Sequence, residues 1–314
     1  MMGNIWKLKS TMDELKVGFV GLGRQGALIV EGLLGSPFQL RLWARSAQAL
    51  DQYRSTRAIT APSLEVLARQ SNVVGVCVVK DADVEEVVEG DRGLLASMDP
   101  GGIILIHSTV SPELCIRLGV LATERGLTVV DAPVSNSAPR RLATNSIHSV
   151  EGVRETAGTM AVMVGCSEGT FVRCRPVLES FGEPVVRVGD LGSGQIAKLI
   201  INLVFYSNLG VAHDALELGE SVKVDTSALS ELLCATSGRS NAVELFARDR
   251  ILALDKTAGE LRSRFGNLVT KDLDLAATIS GALENDNVLQ ATADRAMQLF
   301  GIQSDVDVGD GDKS

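Results

Sequence analysis

Residues 195–207 read QIAKLIINLVFYS. The polar side chains Gln195, Lys198, Asn202 and Tyr206 recur in it at intervals of three or four. On a helix those positions share one face, so they form a polar stripe on an otherwise apolar rod. A lysine in such surroundings must be compensated or lose its proton. An ammonium there can protonate a reacting oxygen, and the neutral amine can take the proton back. Asn202, one turn further on, can hold that oxygen. A lysine that snorkels to solvent beside a structural amide has the same spacing, so the stripe alone leaves both readings open.

A second block supplies a partner for that chemistry. VGFVGLGRQGALIV carries Gly21, Gly23 and Gly26 in the spacing G-x-G-x-x-G, with Leu22, Arg24 and Gln25 between them. The block follows a predicted strand and opens a predicted helix, as dinucleotide binding requires. Gly21 permits the tight turn, Gly23 lets a pyrophosphate approach the backbone, and Gly26 lets helix and strand pack closely. The helix N-terminus then offers amide donors to the phosphates. The next strand, LRLWARS, ends without the acid that usually binds the ribose hydroxyls of NAD, and Arg45 and Ser46 stand there instead. A guanidinium and a hydroxyl suit a 2′-phosphate, which favours NADP, with NAD as the alternative. A reduced nicotinamide delivers hydride to a carbonyl carbon, and a positioned ammonium stabilises the charge that develops on oxygen. Neither a Tyr-x-x-x-Lys motif nor a set of zinc ligands competes with Lys198 for that role.

The elements that must position these residues alternate along the first part of the chain. KVGFVG, QLRLWA, VVGVCVV, GGIILIHST, LTVVDAPV, GTMAVMVG and EPVVRVG read as strands, with helical segments between them. The strands are nearly continuous apolar runs, the mark of strands buried on both faces by crossover helices. The expected fold is an α/β doubly wound parallel sheet of Rossmann type, followed by an all-α domain. Strand signals stop after Gly192. The expected organisation is a flexible extension over 1–14, a dinucleotide-binding domain over 15–190, a helical domain over 191–303 and a disordered tail over 304–314. A long helix from Gln195 to about Glu220, apolar nearly all round, is expected to be buried and to join the domains.

Bulk properties bound the partners. The 314 residues are 45% apolar and 22% charged, with only 4% aromatic and a net charge of −9. The charge argues against a nucleic-acid or anionic-membrane surface, although one or two local cations suffice for a small anion. Five scattered cysteines without a C-x-x-C pair fit reduced thiols in the cytoplasm. Three dispersed histidines give no sign of a metal cluster. The N-terminus has no apolar signal core, and apolar runs are interrupted by polar residues before they reach membrane-spanning length.

Five ordered blocks, GFVGLGRQG, HSTVSPE, DAPVS, GSGQIAKLIIN and FGNLVTKDLDLA, resemble the β-hydroxyacid dehydrogenases, including the 3-hydroxyisobutyrate dehydrogenases and the glyoxylate/succinic semialdehyde reductases. The resemblance covers residues 17 to about 300. It implies an NAD(P)-dependent enzyme that interconverts a small β-hydroxy acid and its semialdehyde or keto acid. Lys198 then matches the catalytic lysine and Asn202 the substrate-orienting amide. Ser108 matches a serine that contacts the substrate carboxylate, together with the turn Ser135, Asn136 and Ser137. Thr109, Val79 and Lys80 match cofactor contacts, Lys271 a lysine near the nicotinamide, and Phe265 a residue lining the cleft, with Asp272 supporting Lys271. The excess of apolar surface in the helical domain predicts in addition a homodimer or homotetramer.

The chain also departs from that pattern. Asn136 and Ser137 stand where the family usually has two glycines, and about a dozen extra residues follow, carrying Arg140, Arg141 and His148. These changes fall where the substrate would be read. They keep two alternatives in view: an imine reductase-like enzyme of the same architecture, which generally replaces the lysine, and a non-catalytic NADP-binding protein.

Overall fold

A computed structural model describes residues 15–136 and 160–244, and in the C-terminal part residues 269–272, 275, 291, 295 and 298. The 1–14 extension, the 138–151 insert, Ser137, Phe265 and the 304–314 tail therefore lie outside the described residues. The chain forms two compact units, residues 1–198 and 199–314.

The first unit is built on one nine-stranded sheet. Strands β1 (Lys16–Val20), β2 (Gln39–Trp43), β3 (Ile59–Thr60), β4 (Val73–Val76), β5 (Ile103–Ile106) and β6 (Thr128–Asp131) lie in the order β3-β2-β1-β4-β5-β6. All of these pairings are parallel. The residues of β4 and β5 are buried throughout, which explains their unbroken apolar runs. Alternate side chains of one strand feed two cores. In β5, Ile103 and Leu105 join Phe19, Ile29 and Leu40 on one face, while Ile104 and Ile106 join Leu67, Val74 and Leu118 on the other. The sheet is Rossmann-like and mostly parallel.

The parallel expectation needs correction at one end. β7 (Val134–Asn136) continues the line of β6 after two residues, and β8 (Met160–Gly165) pairs antiparallel with both. β9 (Gly182–Gly189) then runs parallel to β8. No crossover helix separates β6 from β7, so the chain that follows can return alongside them without reversing over a face of the sheet.

Helices α1 (Arg24–Leu34), α2 (Leu64–Arg69), α3 (Asp81–Glu89), α4 (Leu94–Ser97), α5 (Pro112–Thr123) and α6 (Glu168–Leu178) connect the strands, with a 3-10 segment over Ala47–Tyr53. Several start where the sequence says they can. Ser63, Ser111 and Ser167 accept hydrogen bonds from the amides of Val66, Leu114 and Thr170 as N-caps of α2, α5 and α6. At the other end of α1, Arg57 donates to the carbonyl oxygens of Leu33, Leu34, Ser36 and Phe38. A cation there complements the negative end of the helix.

The long helix α7 (Ser193–Ser221) spans 29 residues and is followed by α8 (Thr226–Ala235), capped by Asp225. In the second unit Leu203, Tyr206, Leu209 and Ala212 of α7 pack with Ala242, Val243 and Val269. The expectation of burial all round is corrected, because Ile200, Ile201, Val204, Val211 and Leu218 are exposed. At 3.6 residues per turn, one packed stripe leaves the remaining apolar positions facing outward. By length and composition α7 is a helix that could cross a bilayer, with Lys198 and Asn202 interrupting its apolar surface.

Candidate active site

The carboxyl edge of the parallel sheet gathers the turns after β1, β4, β5 and β6. The turn after β1 holds the three glycines. Gly21 has φ +95°, and a Cβ on it would lie 2.1 Å from the Cys77 carbonyl oxygen at the end of β4. A Cβ on Gly26 would lie 1.9 Å from the Gly21 carbonyl oxygen. These two glycines are therefore required by the protein's own packing. Gly23 differs. It is the N-cap of α1, no side chain caps that helix, and a Cβ there would meet nothing within 4 Å. An uncapped helix N-terminus facing open space fits a pyrophosphate. Arg24 and Gln25 are exposed in the first turn, whereas Leu22 is buried, so Leu22 presents its backbone to the turn and its side chain to the core.

Arg45 and Ser46 follow β2 and are exposed. The Arg45 guanidinium pairs with Asp83 at 2.8 Å and Glu86 at 3.5 Å, both on α3. Sequence reasoning left these carboxylates out, since they lie on a helix 38 or more residues away. After β4, Val79 and Lys80 are exposed, with Lys80 as the N-cap of α3. The nearby Cys77 thiol is pushed up to about 12 by burial, which removes it as a nucleophile.

Ser108 and Thr109 follow β5. Ser108 is buried, and its Oγ accepts a hydrogen bond from the Val78 amide at 2.8 Å. The hydroxyl thus ties the turn after β5 to the turn after β4 and keeps its own hydrogen for donation. Thr109 is partly buried beside it. Ser135 is half-buried in β7, opposite Ala161, and Asn136 ends that strand opposite Met160.

The first turn of α7 is anchored to this edge. Gln195 is fully buried. Its Oε1 accepts from the Val110 amide at 3.1 Å, and its Nε2 donates to the Ser108 carbonyl oxygen at 2.9 Å. Asp131, the last residue of β6, is also fully buried. Its Oδ1 accepts from the Gly192 amide and its Oδ2 from the Gln195 amide, each at 2.8 Å. Burial pushes the Asp131 carboxyl up to about 6, against the pull of these amides. Sequence reasoning passed over Asp131, although an acid ending an apolar strand is itself a signal of an internal partner. Lys198, one turn beyond Gln195, is 6% exposed, so the residue is held within the protein and not out in solvent.

In the second unit, Asp272 is buried and directs Oδ2 to two donors, Asn202 Nδ2 at 2.7 Å and Tyr206 Oη at 2.9 Å. Burial, then the Asp272 charge, push the Tyr206 hydroxyl far above its usual range, so it stays a donor. These bonds give Asp272 a role toward Asn202 beyond the support of Lys271 expected from sequence. Lys271 itself is partly buried. Further along α7, His213, Asp214 and Glu217 bring their ligand atoms within 4.8 Å of one another, and Arg295 pairs with both carboxylates.

Comparisons with known proteins converge on one family. The model of the NAD binding domain of 6-phosphogluconate dehydrogenase matches residues 16–189. The model described as NAD-binding of NADP-dependent 3-hydroxyisobutyrate dehydrogenase matches residues 192–312. The chain is 31% identical to 2-(hydroxymethyl)glutarate dehydrogenase of Eubacterium barkeri, covering 91% of this chain and 88% of that protein. It is 29% identical to 3-hydroxyisobutyrate dehydrogenase of Pseudomonas aeruginosa, covering 93% of each. Among solved structures, Psf3 in complex with NADP+ and 2-OPP shares 27% identity at a TM-score of 0.71, covering 91% of this chain and 93% of that one. An imine reductase from Myxococcus stipitatus, at 16% identity and a TM-score of 0.59, shares the fold. With its glycine turn, its anchored lysine helix and both family models in register along it, the chain belongs to the β-hydroxyacid dehydrogenases, NAD(P)-binding oxidoreductases that act on hydroxy acids.

Proposed function

We propose that this chain is an NADP-preferring dehydrogenase that interconverts a small, carboxylate-bearing β-hydroxy acid and its semialdehyde or keto acid, with Lys198 as the general acid/base. The observation that carries this reading is the burial of Lys198 one turn after Gln195, whose side chain is bonded to the turn following β5. The relatives named for hydroxyisobutyrate, serine and threonate oxidation support the substrate class.

The residues divide the work as follows. The backbone of Gly21, Leu22, Gly23, Arg24, Gln25 and Gly26 holds the pyrophosphate at the start of α1. Arg45 and Ser46 take the 2′-phosphate, for which β2 supplies no competing acid. Val79, Lys80 and Thr109 line the rest of the cofactor site on the first unit, and the family resemblance assigns Lys271 and Phe265, the latter outside the described residues, to cofactor contacts as well. The bound dinucleotide supplies or accepts the hydride. In reduction the Lys198 ammonium donates a proton to the substrate oxygen, and in oxidation the neutral amine takes it back. Asn202 holds that oxygen, oriented by its bond to Asp272. The hydroxyl hydrogen of Ser108 and the end of β7 at Ser135 and Asn136, which is a strand and not the turn expected from sequence, hold the substrate carboxylate. The protein acts in the cytoplasm as a homodimer or homotetramer, without nucleic acid or membrane.

The test is a panel of 3-hydroxyisobutyrate, L-serine, L-threonate and 2-(hydroxymethyl)glutarate with NADP+ and NAD+. Methylmalonate semialdehyde, succinic semialdehyde, glyoxylate and a cyclic imine are run with NADPH and NADH. The expected result is turnover of at least one hydroxy acid–aldehyde pair, reduced about a hundredfold or more by Lys198→Ala with cofactor affinity kept. Turnover of the imine alone supports the imine reductase reading. Cofactor binding without any turnover supports a binding protein.

A further inference from the structure

The start of α7 is held by two side chains whose positions on the sheet edge are fixed independently. Strands β5 and β6 are neighbours. Asp131 ends β6 and takes the amides of Gly192 and Gln195, donors that a helix start leaves without partners inside the helix. Its negative charge also lies at the positive end of the helix dipole. Gln195 reaches from the helix to the turn after β5 and satisfies one donor and one acceptor there. Ser108, whose carbonyl Gln195 grips, also accepts from Val78 after β4. A single hydrogen-bonded chain therefore joins the turns after β4 and β5 to the helix that carries Lys198.

The Asp131 carboxylate is closely packed. A Cβ on Gly165 would lie 2.1 Å from Asp131 Oδ1. A Cβ on Gly194 would lie 2.6 Å from the Met163 carbonyl oxygen and 2.7 Å from Asp131 Oδ2. The carboxylate is thus seated against two residues that have no side chain. Lys198 follows Gln195 by three positions, about 4.5 Å along the helix axis.

We propose that Gln195 and Asp131 are positioning residues that set the register of Lys198 toward the reacting oxygen. This rests on the reading of Lys198 as the acid/base group. Loss of the Gln195 clamp lets the helix start shift by a fraction of an ångström, and displacements of that order lower the rate of a positioned proton transfer. Neither side chain needs to touch substrate for this to happen.

The test is a double-mutant cycle on the full-length protein with the substrate of the panel above that has the highest kcat/KM. Gln195→Met keeps size and neutrality while removing both hydrogen bonds. The expected result is a fall in kcat of roughly ten- to a hundredfold. KM and the NADPH dissociation constant stay within about twofold, and the primary isotope effect with deuterated NADPH rises. In the Lys198→Ala background Gln195→Met has no further effect on the residual rate, because it acts through the missing amine. Asp131→Asn gives the same pattern, and Gln195→Met carries the test if that buried change prevents folding. An equal loss with and without Lys198, or wild-type kcat in Gln195→Met while Lys198→Ala is inactive, overturns the positioning role and leaves the lysine reading intact. Wild-type turnover in Lys198→Ala overturns both.

Discussion

The amide nitrogen of Asn202 lies 2.7 Å from Oδ2 of Asp272, and the same oxygen accepts from Tyr206 at 2.9 Å. A buried carboxylate with two donors on one oxygen fixes the side-chain orientation of both donors. It also turns the Asn202 amide so that the nitrogen, which gives one hydrogen to Asp272, keeps its second hydrogen for a ligand oxygen.

That arrangement predicts different outcomes for two changes. Tyr206→Phe removes one donor from a buried charge and is expected to lower stability by about 1–3 kcal/mol, measured by urea unfolding. Asn202 keeps its bond in that variant, so KM for substrate changes little. Asp272→Ala removes the acceptor that orients Asn202. It is expected to raise KM or lower kcat at least tenfold in steady-state assays.

The glycine turn separates packing from ligand binding. Gly26→Ala forces a Cβ toward the Gly21 carbonyl oxygen and is expected to cost about 2–3 kcal/mol of stability. Gly23→Ala places its methyl in open space, so stability is expected to change by less than about 1 kcal/mol. NADPH affinity, read by fluorescence titration, falls tenfold or more in Gly23→Ala, because the new methyl occupies the approach to the phosphates.

Cofactor choice turns on the partners of Arg45. Arg45→Ala is expected to weaken NADP binding far more than NAD binding. Its guanidinium is shared with Asp83 and Glu86, whose charges also repel a 2′-phosphate. Glu86→Gln is therefore expected to tighten NADP binding a few-fold and leave NAD unchanged, with the gain shrinking as salt is added. Isothermal titration with both cofactors at two ionic strengths checks this.

Acid stability depends on His107. It is buried against Phe19 and Phe181, bonded to the Ala132 carbonyl oxygen, and burial lowers its pKa from 6.5 to about 4. Between those values the unfolded chain binds a proton that the native state refuses. Stability from this group is full above pH 6.5 and is lost as pH falls toward 4, by ~3 kcal/mol in all. Asp131 has the opposite sign. Its raised pKa gives a contribution present below about pH 4 and lost as pH rises through about 6. Unfolding of wild type and His107→Gln at pH 7 and pH 4.5 isolates the histidine, and the variant is expected to lose less stability on acidification.

Much of the first unit was legible because burial on both faces writes itself into consecutive residues, as in β4 and β5. The glycine turn was legible because one short segment holds all its parts. The antiparallel return of β8 was not, since VMVG reads the same in either direction. The partners of Arg45 and the anchoring by Asp131 depend on how distant segments come together, and no local spacing encodes that. Exposed Ile200 and Val204 looked like core for a related reason: sequence shows that a residue is apolar, not what faces it.

The seat of the Asp131 carboxylate between Gly165 and Gly194 has an evolutionary corollary. Positions 131, 165 and 194 come from three separate segments, yet none can gain bulk unless another gives up volume or charge. Across descendants of a common ancestor the trio is expected to drift as a unit or stay frozen, even where the surrounding chain diverges freely.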